Sequence, residues 1–349
     1  LITGSGKYTD DLVVPDMVYA AIVRSTHAHA RIRSIDTSEA QAVKGVLAVF
    51  TGEDITKSGI PGVVPVGWIL PDMKIPAHPV LASETVRYVG DAVAVVVAED
   101  RYIVTDAADL VKVDYETFPV VTNPAQTIEE SSPQLHPEAP NNIAFDWEIG
   151  DKGSTEEAFS KAAKTVEISI RNNRLVPHAI EPRSTLASYD DATDKLTVWM
   201  TSQNPHVHRL LMSLASLGLP EHKIRVIAPE VGGGFGSKIH HYPDEVITCW
   251  CSMQLHRPVK WTATRSEASL TDAHGRDHVT KAELALDDTG RILGLRAKTF
   301  ANMGAYLSTF GPLIPTYLHA TLLSGQYDIP AIYCQVIGTF TNTTPVDAV

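Results

Sequence analysis

Within five positions the chain places four glycines, Gly232, Gly233, Gly234 and Gly236, interrupted only by Phe235. A backbone without Cβ atoms can enter left-handed conformations and can bring its N–H groups close to another group. The cluster follows a β-branched run, Ile224-Arg225-Val226-Ile227, and precedes a helical pattern over 243–255. The chain must therefore pass from a strand to a helix through a turn built from main chain alone. Phosphate and pyrophosphate groups are common ligands of such turns. The P-loop order Gly-Lys-[Ser/Thr] is absent, because Ser237 precedes Lys238 and Ile239 follows it. The dinucleotide pattern G-x-G-x-x-G with its distant acid is absent too. On these residues alone, a ligand loop and a close-packed structural turn both remain open.

A second strand-to-helix turn is Thr201-Ser202-Gln203-Asn204-Pro205-His206. A carboxamide at a helix start can donate to an oxo or anionic group while staying neutral at any working pH. The same residues also suit a plain helix cap. Histidines alternate at His27/His29 and His206/His208 and adjoin at His240/His241. An H-x-H pair on a strand puts both rings on one face, but no H-E-x-x-H accompanies these pairs and none of the three has an obvious third ligand close in sequence. They read as hydrogen-bonded structural residues, and no metal ligand is assigned among them. The knot His274-Gly275-Arg276-Asp277-His278 reads as a turn closed by a salt bridge at the start of a strand.

Elsewhere the pattern alternates strands and helices. Strands are expected at 17–23, 45–51 (stopped at Gly52), 90–98, 113–115, 165–170, 224–227, 259–263 and 331–339. Hairpins are expected for 186–189 with 196–200 and for 281–286 with 292–298. Helices are expected at 105–110, 205–217 (ended by Gly218) and 243–255, with another whose hydroxyl cap and acids, Ser154 to Glu157, precede 158–163. The glycines and prolines of 57–79 exclude regular structure, and the five prolines between 117 and 142 mark a linker.

A formal charge of −12 repels polyanions, so nucleic acid is not an expected partner. No apolar stretch approaches the ~18 to 20 residues that span a bilayer. No secretory leader is visible, and a cytoplasmic protein is expected. Cys249, Cys251 and Cys334 lack zinc-finger or ferredoxin spacing and read as buried free thiols. Any iron–sulfur centre that serves the chain would therefore sit on another polypeptide.

Taken in order, the segments resemble the large subunit of the molybdenum hydroxylases, the family of xanthine dehydrogenase, aldehyde oxidase and carbon monoxide dehydrogenase. The resemblance is carried by G-K-Y-T-D-D, S-T-H-A-H-A-R-I, V-G-D-A-V-A-V-V-V-A-E, T-S-Q-N-P-H and V-G-G-G-F-G-S-K. It continues through P-V-K-W-T-A-T-R-S-E, H-G-R-D-H, A-N-M-G-A-Y and Y-D-I-P. It implies an α+β protein: an α/β hammerhead domain over 1–120, a linker over 121–145, and the first part of a molybdopterin-binding domain with mixed sheets over 146–349.

The resemblance also implies that Gly232, Gly233, Gly234, Phe235 and Gly236 line the molybdenum and its pterin dithiolene, and that Gln203 donates toward an oxo ligand. The implied cofactor is molybdopterin cytosine dinucleotide, with 2Fe–2S clusters and FAD on partner subunits. The implied reaction is oxidative hydroxylation of an aldehyde, an N-heterocycle or CO with water as oxygen source. Two departures stand out. Ile239 occupies the place where a purine-contacting glutamate is often found. Val349 ends the sequence where the family continues into A-Y-R-G or A-Y-R-C, and the glutamate base lies farther downstream. The isolated chain is therefore expected to be inactive and to need the C-terminal half of the cofactor domain, or a second chain supplying it. The alternative is a truncated, non-catalytic fragment.

Overall fold

The apolar run at 92–98 organises the first of two compact units. The computed structural model describes residues 2–349. Unit 1 comprises Leu1–Pro65, Ala77–Pro119 and Val176–Ala273, and unit 2 comprises Val66–Pro76, Val120–Leu175 and His274–Val349. Both mix helices with sheets of mixed strand direction, as an α+β protein should.

In unit 1 a seven-stranded sheet runs in the spatial order Ile224–Ile227, Lys195–Met200, Ser184–Asp190, Val259–Thr262, Val18–Arg24, Ala92–Ala98, Val46–Thr51. All seven residues of Ala92–Ala98 are buried, which explains a β-branched run without polar alternation: both faces are covered. Ala92, Val95 and Val97 join a core containing Val246, Trp250 and Trp261. Val96 and Ala98 pack with Val104 and Ala107 of the helix Arg101–Ala108. That helix starts four residues ahead of the expected 105, because the Asp100 carboxylate accepts from Tyr102 N and Ile103 N. A three-stranded sheet adds Ala30–Asp36 between Thr85–Val86 and Lys112–Thr117.

Unit 2 is built on a five-stranded sheet in the order Lys164–Asn172, His278–Leu286, Ile292–Gly304, Ala331–Phe340, Ile143–Gly150. Phe145, Ala301, Met303, Val336 and Phe340 form part of its core. The proline-rich stretch before it is stapled rather than free. Buried Asn142 donates through Nδ2 to Thr127 O and Pro133 O and accepts at Oδ1 from Leu135 N. Gly150 closes the last strand at φ 97°, where an added Cβ would stand 2.1 Å from Ile332 O. Gly150→Ala therefore combines a strained backbone with a backbone clash. A loss of about 3 kcal/mol is expected, read as a lower urea midpoint. An unchanged midpoint would contradict this packing.

Several expectations shift. The helix expected behind a Ser154 cap is Lys152–Ser160, one turn earlier, because Asp151 accepts from Ser154 N and wins the cap. The stretch 57–79 is not wholly irregular: the helix Gly52–Ser58 runs into it, and Val63–Val64 pairs with His78–Pro79. The helix expected over 205–217 is α-helical to Leu211 and then widens into a π-turn at Met212–Ser216.

Candidate functional site

The parallel pairing of Lys195–Met200 with Ile224–Ile227 aligns two strand ends in unit 1 and sends both following turns the same way. The Gln203 turn and the glycine loop consequently meet. Gln203 N donates to Lys238 O at 2.9 Å. Its Oε1 accepts from Gly236 N at 3.1 Å and from Lys238 N at 3.2 Å. With the carbonyl end so committed, the amide end has no acceptor among the described residues for its two N–H donors. A Cβ on Gly234 would lie 2.3 Å from Gln203 Oε1, so only glycine permits this approach.

The loop reverses through left-handed φ values at Gly233 (97°), Phe235 (51°) and Gly236 (95°). The middle value, on a non-glycine residue, is a local cost of the kind that concentrates at functional sites. Gly233 N, Gly234 N and Phe235 N have no acceptor among the described residues. Phe235 is 69% exposed, which puts the bend at the surface of the unit and not inside its core.

Beneath the loop lies a layer of buried charge that the sequence did not disclose. Gly232 N donates to Glu181 Oε2 at 2.6 Å, and Glu181 N donates back to Gly232 O at 3.1 Å. Lys238, 1% exposed, donates from Nζ to Glu181 O at 2.9 Å and Glu181 Oε2 at 3.0 Å. Burial draws the Lys238 ammonium below its ordinary range, and the Glu181 carboxylate opposes that shift. Two residues on, Arg183 donates to Asp272 Oδ1 and Asp244 Oδ2, each at 2.6 Å. Burial disfavours its charge, but Asp244 and Asp272 outweigh that penalty and keep it firmly protonated. The guanidinium stands 3.6 Å over the Tyr242 ring. Tyr242 OH donates to Ser237 O at 2.6 Å, which ties this layer to the loop's carboxyl end.

The histidines separate by role. His29 Nδ1 meets Pro119 O at 2.9 Å, and His27 lies edge-on to Tyr115. His206 and His208 stand on the helix Pro205–Leu211, not on a strand, with His206 exposed and His208 buried. His208, His241 and Glu245 form one buried cluster with a potential ligand atom from each within 4.8 Å of the others. Glu245, which brings the carboxylate to the two imidazoles, stands on the helix Pro243–Leu255. In unit 2 the knot at 274–278 does hold a salt bridge, Asp277 Oδ2 to Arg174 Nε at 2.8 Å, with Arg276 and Asp277 at left-handed φ values of 66° and 64°. Burial and neighbouring His319 push His278 down to about 4. All three cysteines are free and buried.

Comparison with known proteins identifies the family and the fold. Residues 135–349 match the model of a molybdopterin cofactor-binding domain, and residues 3–119 match the aldehyde oxidase and xanthine dehydrogenase a/b hammerhead domain. The carbon monoxide dehydrogenase large chain of Afipia carboxidovorans is 39% identical over 97% of this chain and 42% of its own length. The solved structure of reconstituted CO dehydrogenase from Oligotropha carboxidovorans superposes with a TM-score of 0.92 at 38% identity, over 99% of this chain and 44% of that one. Quinoline 2-oxidoreductase from Pseudomonas putida 86 gives a TM-score of 0.93 at 33% identity, over 99% and 44%. The chain thus spans less than half the length of these relatives. No described helix is long and apolar enough to cross a membrane. By motif order, fold and both family models, the chain belongs to the molybdenum-cofactor-binding large subunits of the xanthine dehydrogenase, aldehyde oxidase and carbon monoxide dehydrogenase family.

Proposed function

We propose that this chain supplies the hammerhead over 1–120, the connecting segment 121–145, and the first part of the cofactor cradle over 146–349 in a multi-subunit molybdenum hydroxylase. The observation that carries this reading is the Gln203–glycine-loop junction. Among the described residues it has three amides without acceptors and spare carboxamide donors, side by side where a Cβ on Gly234 would meet Gln203 Oε1 at 2.3 Å. A pterin-held metal with oxo ligands matches that donor set. Gly232, Gly233, Gly234, Phe235 and Gly236 would hold it, and Gln203 would face its oxygen. The proposed form is molybdopterin cytosine dinucleotide, which when bound supplies two-electron oxidation with water as oxygen source.

The chain's own contribution is binding and orientation. Glu181 occupies Gly232 N, which leaves the next three amides as the loop's donors. Gln203, held at three points by its backbone and carbonyl end, presents N–H groups at fixed geometry. The electrons are proposed to leave through iron–sulfur clusters and FAD on partner subunits in the cytoplasm. The substrate is a small molecule: an aldehyde, an N-heterocycle or CO. The relatives' greater length motivates a second reading, in which the chain by itself folds but is not catalytic.

The test is to assemble the complete complex and measure its molybdenum and its dye-linked oxidation of those three substrate classes. Gln203→Glu keeps both acceptor contacts but replaces the donor end with an acceptor. Turnover should fall about 100-fold while molybdenum content stays close to wild type. A complete complex without molybdenum, or undiminished turnover in the variant, would remove the reading.

A further inference from the structure

We propose that His208, His241 and Glu245 form a structural zinc site, separate from the molybdenum cradle and independent of the function proposed above. The three residues are 1%, 0% and 2% exposed. Glu245 Oε2 lies 3.4 Å from His208 Nε2 and 3.4 Å from His241 Nδ1. Bonds of about 2.0 to 2.1 Å at tetrahedral angles put neighbouring ligand atoms about 3.4 Å apart, so both separations are edges of a zinc tetrahedron. They are also long for a charge-assisted hydrogen bond between carboxylate and imidazole.

The outer shell has the form expected around a metal. His208 turns its other nitrogen, Nδ1, to Ser202 Oγ at 2.8 Å, and His241 turns Nε2 to Ser216 Oγ at 2.9 Å. Ser216 Oγ in turn donates to Val63 O at 2.9 Å. Each imidazole thus has its outward nitrogen fixed by a hydroxyl and its inward nitrogen 3.4 Å from the carboxylate, that of His208 also meeting His240 O, and an outer hydrogen bond of this kind sets tautomer and ring orientation in zinc sites. His240 O, 3.0 Å from His208 Nε2, would be the fourth ligand. The set of two imidazoles, one carboxylate and one carbonyl, closed to water, suits a structural ion rather than a catalytic one.

The site would join the turn before the helix Pro205–Leu211, through Ser202, to the start of the helix Pro243–Leu255. Those are the segments on either side of the Gln203–Lys238 contact. Zinc would thereby brace the junction without touching it.

The full chain, produced without molybdenum cofactor in zinc-supplemented medium and passed over a chelating resin, should retain about one zinc per chain. His241→Gln and His208→Gln should each lower that below about 0.1 equivalents, while exposed His222→Gln should not. Should the buried variants fail to fold, cobalt(II) exchanged into the wild-type chain decides: tetrahedral visible absorption supports the site. An octahedral spectrum, no uptake of either metal by the wild-type chain, or full zinc retention in both buried variants would overturn it.

Discussion

Gly234→Ala is expected to cut the molybdenum content of the assembled complex by about 5- to 150-fold. The new methyl carbon would start 2.3 Å from Gln203 Oε1 and 2.5 Å from Cδ, more than an ångström inside contact. Relief requires that the carboxamide leave the loop, and with it go the bonds from Gly236 N and Lys238 N. Overpacking of this kind costs about 1–3 kcal/mol, and 1.4 kcal/mol is a factor of ten in binding. Metal analysis of purified complex is the readout, with the melting temperature as a control for gross misfolding. The loop faces outward at Phe235, so the loss should fall on cofactor retention more than on global stability. Full molybdenum content in this variant would mean that the junction is not the cradle.

How much of this junction could be read from the chain depends on what lies close in sequence. The helix Pro243–Leu255 and the strand Ile224–Ile227 match their expected limits, because Pro243 and a continuous apolar pattern mark them locally. The strand Ala30–Asp36 escaped notice. Its alternation runs through arginines, with Ala30 and Ile32 buried and the arginines exposed, so only half of the pattern is apolar. The strand Ile143–Gly150 was masked by the prolines before it. Gln203 and the glycine loop stood out because polar and Cβ-free turns between regular elements are locally conspicuous. Their contact was not legible, since it depends on a parallel pairing between strands separated by a helix. Glu181, Lys238 and Arg183 left a fainter signal: charged residues in short segments that the fold buries. Lys238, at the end of the glycine loop, turns its ammonium inward to Glu181, a contact between segments 57 residues apart.

Arg183 makes the strongest stability prediction, because its removal strands charge that cannot reach water. Asp244 is 1% exposed and Asp272 5%, and both accept from the same guanidinium, which also takes Thr271 Oγ1 at 2.9 Å. Arg24 still serves Asp244 when Arg183 is lost, at 2.5 Å from Oδ1. Asp272 has no second arginine bonded to it among the described residues. Arg183→Met keeps most of the volume and removes the charge, and a loss of about 3–5 kcal/mol is expected from urea unfolding. The double variant Arg183→Met/Asp272→Asn should recover part of this, because the stranded anion goes too; a coupling of at least about 1 kcal/mol is expected from the cycle. Strictly additive losses would mean that Asp272 finds water or another partner once the arginine is gone. Arg183→Lys should stay well short of wild type, since one ammonium cannot donate to both carboxylates while covering the Tyr242 ring as a planar guanidinium does. The consequence reaches the site through Tyr242, whose hydroxyl holds Ser237 O. Buried ion pairs are weak sources of net stability, but this one also fixes geometry, because Arg183 covers the Tyr242 ring and Tyr242 OH donates to Ser237 O at the end of the loop.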